Sequence, residues 1–184
     1  MNQVEFPRLI QGGMGVGVSG WRLARAVARR GHLGVVSGAV VDTLVMRRLQ
    51  DGDPGGHVRR AMSHFPIPDV AQGVFDRWFR PEGRAGAPYQ LLPMLRRKVT
   101  DERQQVTMLS SFVEVWLARE GHDGPVGINL LTKVQLPNLA LLYGAMLAGA
   151  HYVLMGAGIP RDIPAVLDAF VDHQPAAIRL DVEG

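Results

Sequence analysis

The sequence predicts an α/β fold carrying about five parallel strands, because short apolar runs alternate with helix-spaced apolar patterns along the chain. Two further observations shape that reading. Glycine-rich turns follow the apolar runs, at Gly12–Gly17, at Gly38 and at Gly156–Gly158. One long stretch, residues 51–123, shows no convincing strand and reads as a helical insertion after the second strand.

The first apolar run is Pro7 to Gln11, and it leads into Gly12-Gly13-Met14-Gly15-Val16-Gly17. Ser19 is the expected N-cap of the next helix, because its hydroxyl can accept an unpaired backbone N–H. Trp21, Leu23, Ala24, Val27 and Ala28 recur at helical spacing, and Gly31 is expected to end that helix. Leu33 to Ser37 reads as a short buried strand, Gly38 as a turn, and 41–50 as a helix. Strand, glycine loop, helix and strand make one βαβ unit, which implies parallel strands and a right-handed crossover.

Asp51 to Gly56 is a turn cluster. Helical pieces follow near 57–64 and 69–79, then a Pro/Gly-rich crossing over 81–93. A longer helix is expected over 101–120, with Val106, Leu109, Val113, Trp116 and Leu117 on one face. The whole stretch reads as a subdomain or lid. The alternation resumes with a strand over Pro125–Leu130, a helix opened by Pro137 and Asn138 that runs through Leu147, and a strand over His151–Met155. Asp162 is expected to cap a helix that holds Ile163, Val166, Leu167 and Phe170, with Pro164 tolerated in its first turn. Ala176 to Val182 reads as the last strand.

Composition narrows the function classes. Hydrophobic residues make up 47% of the 184 and charged residues 20%, enough apolar side chain for a sizeable core. The absence of cysteine excludes disulfides, thiolate metal sites and a cysteine nucleophile, and fits a cytoplasmic setting. The net charge of +3 is mild, and the basic pairs and triplets, such as Arg96-Arg97-Lys98, are scattered, so no nucleic-acid partner is expected. No apolar run reaches the ~18 residues of a membrane span, and the N-terminus lacks a basic and apolar leader pattern. The histidines show no metal-ligand spacing, so no metal is expected. Ser19 and Ser37 have no nearby base and do not make a hydrolase.

Gly15-Val16-Gly17-Val18-Ser19-Gly20 matches the dinucleotide fingerprint G-x-G-x-x-G between a strand and a helix. A dinucleotide site also needs an acid about 20 residues on, at the end of the second strand, to hold a ribose hydroxyl. That place holds Ser37 and Gly38, and the nearest acid, Asp42, falls inside the next helix. Three readings stay open: a dinucleotide loop, a tight turn that only lets strand and helix approach, and a flavin lying over the loop.

The flavin reading comes from a resemblance. Ile10-Gln11-Gly12-Gly13-Met14-Gly15, Val18-Ser19, and Gly31-His32-Leu33-Gly34-Val35-Val36-Ser37-Gly38 resemble the opening of nitronate monooxygenases, formerly called 2-nitropropane dioxygenases. Pro125-Val126-Gly127-Ile128-Asn129-Leu130 resembles their third strand, and residues 151–160 their fourth strand and its loop. The resemblance runs discontinuously from about residue 7 to 160. The insertion is similar to that of longer relatives and of enoyl-reductase-like flavoproteins of polyketide and fatty-acid synthesis.

The resemblance implies a partial TIM-type (β/α) barrel that binds FMN and oxidises a nitronate or similar small carbon acid with oxygen. Its site would lie at the C-terminal ends of the strands. Gly12, Gly13, Met14 and Gly15 would then approach the flavin ring, and Asn129 would meet its polar edge. His151 starts its strand at the opposite end and reads as structural, and His57 and His64 would reach the site only if the insertion closed as a lid. No catalytic base is assigned. Two other functions stay open: an enoyl-reductase-like flavoprotein, and a non-enzymatic nucleotide-binding module with a doubly wound sheet. A barrel of this type typically needs eight strands and about 250 residues, so the chain is expected to be incomplete, with an open edge prone to self-association.

Overall fold

The computed structural model describes residues 6–180. Seven helices and three strands alternate along them: α1 (Trp21–Ala28), β1 (Gly34–Ser37), α2 (Val41–Gln50), α3 (His57–Met62), α4 (Pro68–Trp78), α5 (Asp101–Arg119), β2 (Val126–Leu131), α6 (Asn138–Leu147), β3 (Tyr152–Gly156) and α7 (Ile163–Val171). The strands form a parallel sheet in the order β1-β2-β3. Ser37 pairs with Asn129, and Leu131 with Gly156. Strand order follows chain order, and no reversal occurs among the described strands.

The expected five strands reduce to three, and the sheet is not a closed barrel. The first apolar run lies parallel to β1 but makes only an isolated bridge, Ile10 to Leu33. Gln11 N–H donates to Leu33 O and Leu33 N–H to Leu9 O, both at 3.0 Å. The ladder stops there because the glycines that follow turn the chain away. Ala176–Leu180 forms no strand, although Ala176 and Ile178 still pack against the core. Asp181 and Val182 lie outside the described residues.

The pleat separates two faces. Val36, Val126, Ile128 and Leu130 join the helices in one core, which also takes in Trp21, Leu49, Leu109, Phe112, Leu117 and Leu142. The alternate residues Val35, Ser37, Gly127, Asn129 and Leu131 point the other way. That second face is covered less evenly. Val35 is fully buried, whereas Asn129 and Leu131 are half-buried.

Residues 51–123 contain helices and no strand, and the longest of these helices packs into the core. α5 is buried almost all round, from Val106 to Ala118, and packs on α1, α2, α6 and the sheet. It is the crossover that carries the chain from β1 back to β2. Its polar positions are satisfied within the helix layer: Ser110 Oγ donates to Val106 O at 2.7 Å and Ser111 Oγ to Leu141 O at 2.8 Å. Gly144 lets α6 lie against α5, since a Cβ there would run into Met108 O.

Two expected caps also differ. Gly20, not Ser19, is the N-cap of α1. Asp162 holds the N-cap position of α7 but makes no side-chain capping bond.

Candidate functional site

Three parallel strands and the first segment all end on one side, at Gln11, Ser37, Leu131 and Gly156. The loops that follow them cluster there, which is where parallel α/β sheets place ligands. The glycine loop 12–20 is folded onto this end by four bonds. Val35 N–H donates to Gln11 Oε1 at 2.9 Å, in place of the missing ladder bond. Ser19 Oγ donates to Gly12 O at 2.8 Å, Ser19 N–H to Gly15 O at 2.8 Å, and Ser37 N–H to Ser19 O at 2.8 Å. Ser19 therefore closes the loop on itself rather than capping the helix.

The loop lies over the face of the sheet away from the helices. Gly13 is buried, and a Cβ placed on it would overlap the Val35 side chain and lie 2.8 Å from Asn129 Cβ. Met14 reaches further, with its sulfur 3.7 Å from the position of a Cβ on Gly156, yet it stays 56% exposed. Gly12 is exposed with no atom near its missing side chain, and Gly15 is half-buried against Val18 and Ser19. The five residues predicted from the sequence are thus gathered by the fold: Gly12 to Gly15 over the strand ends, and Asn129 directly beneath Gly13.

Two polar groups on this face are unspent. No described residue takes a hydrogen bond from or gives one to the Asn129 side-chain amide. Its register partner Ser37 is 7% exposed, and the Ser37 hydroxyl has no partner either. Leaving a buried hydroxyl unpaired costs on the order of 1–3 kcal/mol, so the Ser37 hydroxyl, beside a half-buried amide on an apolar sheet, marks a place where a polar partner would be gained. From the sequence, Ser37 is weighed as a nucleophile and as the residue at the ribose-acid position, not as a ligand-site residue. The signal was a polar residue closing an apolar run at a strand end.

The dinucleotide reading loses support in two places. Glu114 of α5, 1% exposed, accepts the Trp21 N–H at 2.9 Å and pairs with Arg48. A carboxylate from 93 residues away already occupies the N-terminus of α1, where a pyrophosphate would have to sit. Asp42, the acid nearest in sequence to the ribose position, is buried against Arg103 at 2.7 Å.

The rim of the site is apolar. Met14, Val16 and Val18 on the first loop, Val40 after β1, Val134 after β2 and Ile159 after β3 are all exposed. Val40 also holds a left-handed backbone, φ 54°, which strains a β-branched residue. Between the loops after β2 and β3 lies a cleft of 750 Å³, whose walls include Thr132, Lys133, Asn138, Gly158 and Arg161.

The histidines have other partners. His151 Nδ1 accepts the Val126 N–H at 3.1 Å at the start of the strands, and burial, with help from the Arg119 charge, holds its pKa below the usual value. His57 packs on Trp21, His64 stacks on Trp116, His122 closes the turn before β2, and His173 meets the Tyr143 hydroxyl. Among the described residues no cluster of His and carboxylates could hold a metal, and no helix is long and apolar enough to cross a membrane.

In comparisons with family models, curated proteins and solved structures, nothing matches this chain.

Proposed function

We propose that the chain carries an FMN-contacting site of an oxidoreductase of the nitronate monooxygenase type, with a nitronate or similar small carbon acid as substrate and oxygen as electron acceptor. One observation carries the reading: the glycine loop and Asn129, far apart in sequence, meet at the C-terminal ends of sequentially ordered parallel strands. Gly13 is close enough to Asn129 that no side chain fits between them. Sequential order is what a (β/α) barrel requires of its first strands.

The residues present fit a flat ring with one polar edge. Gly12 leaves open space where a side chain would stand, Met14 offers a soft apolar wall, and Asn129 brings a donor and an acceptor that no described residue has taken. The flavin would supply the redox chemistry, and the protein its geometry. The chain's own part is to hold the ring against the strand ends and to keep water off one side of it. A cysteine-free chain suits the cytoplasm.

A second reading has its own support. The apolar rim, Met14, Val16, Val18, Val40, Val134 and Ile159, favours a longer apolar substrate, as in an enoyl-reductase-like flavoprotein. Titration of the purified protein with FMN, followed by its visible absorbance, tests both. The bound flavin should change its spectrum, and the loaded protein should consume oxygen with a nitronate. Consumption of a reduced nicotinamide with an enoyl thioester instead would select the second reading. An unchanged flavin spectrum at saturating FMN would reject both.

A further inference from the structure

Resting on the flavin reading above, we propose that Ser37 is a positioning residue for Asn129, holding its amide in the orientation that meets the ligand. The two residues are Cα partners on adjacent parallel strands, so their side chains leave the sheet on the same face. Neighbouring strands lie about 4.8 Å apart, which puts a serine hydroxyl and an asparagine amide within reach of each other through side-chain rotation alone.

Their burial differs in a way that assigns the roles. The Ser37 hydroxyl is sealed from solvent and has no hydrogen-bond partner. The Asn129 amide is half-buried on the open face. A ligand on that face can touch the amide but not the hydroxyl. An asparagine amide has a carbonyl end and an NH₂ end, and a hydroxyl can pair with either. Pairing one end with Ser37 fixes the amide plane and leaves the other end turned outward. No described residue pairs with the hydroxyl, and the Ser37 backbone N–H is held separately by Ser19 O at 2.8 Å. Gly13 lies close over Asn129, since a Cβ on it would come 2.8 Å from Asn129 Cβ.

The arrangement makes opposite demands on stability and binding. In the ligand-free chain the hydroxyl is an unsatisfied buried group, so Ser37→Ala should leave the melting temperature unchanged or raise it. In the complex the same substitution should weaken FMN binding by roughly 5-fold, the scale of one net hydrogen bond. It should also shift the absorbance maximum of the bound flavin. Ser37→Thr, which keeps the hydroxyl, should restore most of the affinity.

The deciding experiment is a double-mutant cycle on the full chain, read by FMN titration. If Ser37 acts through Asn129, Ser37→Ala should weaken binding in the wild-type background and change nothing in an Asn129→Ala background. Equal losses in the two backgrounds would overturn the proposal, as would an Ser37→Ala variant that binds FMN as tightly as wild type. Should Asn129→Ala bind no measurable FMN, Ser37→Thr decides: restored affinity supports the proposal, and unrestored affinity overturns it. A wild-type chain that binds no FMN at all would reject the flavin reading itself, and this proposal with it.

Discussion

A Cβ placed on Gly13 would lie 2.8 Å from the Cβ of Asn129 and would overlap the side chain of Val35. The glycine is therefore needed for packing before any ligand arrives. From sequence alone, Gly13→Val should remove flavin binding and spare the fold. The contact changes that expectation. Even Gly13→Ala should destabilise the chain by about 1–3 kcal/mol, the usual cost of overpacking, and lower FMN affinity as well. Urea unfolding followed by FMN titration checks both. Unaltered stability in Gly13→Ala would mean that the loop lifts off the sheet at no cost.

Asn129→Leu separates a ligand contact from a core residue. The amide has no partner among the described residues, so its loss should not weaken the fold, and a half-buried leucine on an apolar face should stabilise it slightly. FMN binding should weaken by about 1–2 kcal/mol, as one or two hydrogen bonds disappear. Isothermal titration of the variant gives the answer, and full affinity would return Asn129 to the core.

The alternation of strands and helices was legible because each element has a clear period and a clear stop. The helix over 41–50 and the strand near Val126–Leu131 follow from apolar spacing and flanking glycines. What was not legible depends on partners distant in sequence. α5 carries polar residues at Arg103, Thr107, Ser110 and Glu114, so its pattern suggested one apolar face. Only the structure shows each of these spent on another element or on the helix's own turns. Ser19 failed as a cap for the same reason: Glu114 had taken the helix N-terminus. The outer runs, Pro7–Gln11 and Ala176–Val182, have strand-like composition. Strands, however, are defined by their neighbours, and the described part of each run, Pro7–Gln11 and Ala176–Leu180, has too few.

The cap at Glu114 should be measurable. Its carboxylate satisfies the Trp21 N–H, pairs with Arg48 and lies 3.5 Å from the position of a Cβ on Gly20. Glu114→Ala should cost about 2–3 kcal/mol, combining a lost helix cap with a lost bond to a charged group. Glu114→Gln keeps an acceptor for Trp21 and should cost less. Urea unfolding that ranks Gln as badly as Ala would show that the charge on Arg48, not the cap, carries the effect.

Glu120 links stability to pH. Its carboxylate accepts from Arg60 Nε at 2.7 Å and lies 3.4 Å from Arg25. The Arg60 hydrogen bond, outweighing an opposing burial effect, holds its pKa below the ordinary 4.5, with the charges of Arg60, Arg25 and His57 adding to it. A carboxylate depressed in the folded state stabilises the fold above its unfolded value and loses that contribution as pH falls through its folded value. Melting temperature should therefore drop on acidification below 4.5, and Glu120→Gln should flatten that part of the curve. Parallel curves for the two proteins would assign the acid sensitivity to other carboxylates.

The edge of the sheet beside β1 makes the last prediction. Leu9 and Ile10 are 60% and 55% exposed, and Phe6 beside them is 77% exposed. The segment donates to and accepts from Leu33 on one side, and the described residues place no strand on its other side. An apolar segment with a free backbone edge is a template for another strand, and natural edges are usually blunted by charge or proline. Pro7 and Arg8 blunt only the start of this one. We therefore expect the chain to self-associate through it, with an elution volume on gel filtration that depends on concentration. Ile10→Lys puts a charge on the exposed edge and should shift the chain toward monomer without lowering its melting temperature, because Ile10 is not part of the buried core. Association of the same strength in Ile10→Lys would move the contact elsewhere, and the apolar rim at Met14, Val16 and Val18 would be the next surface to alter.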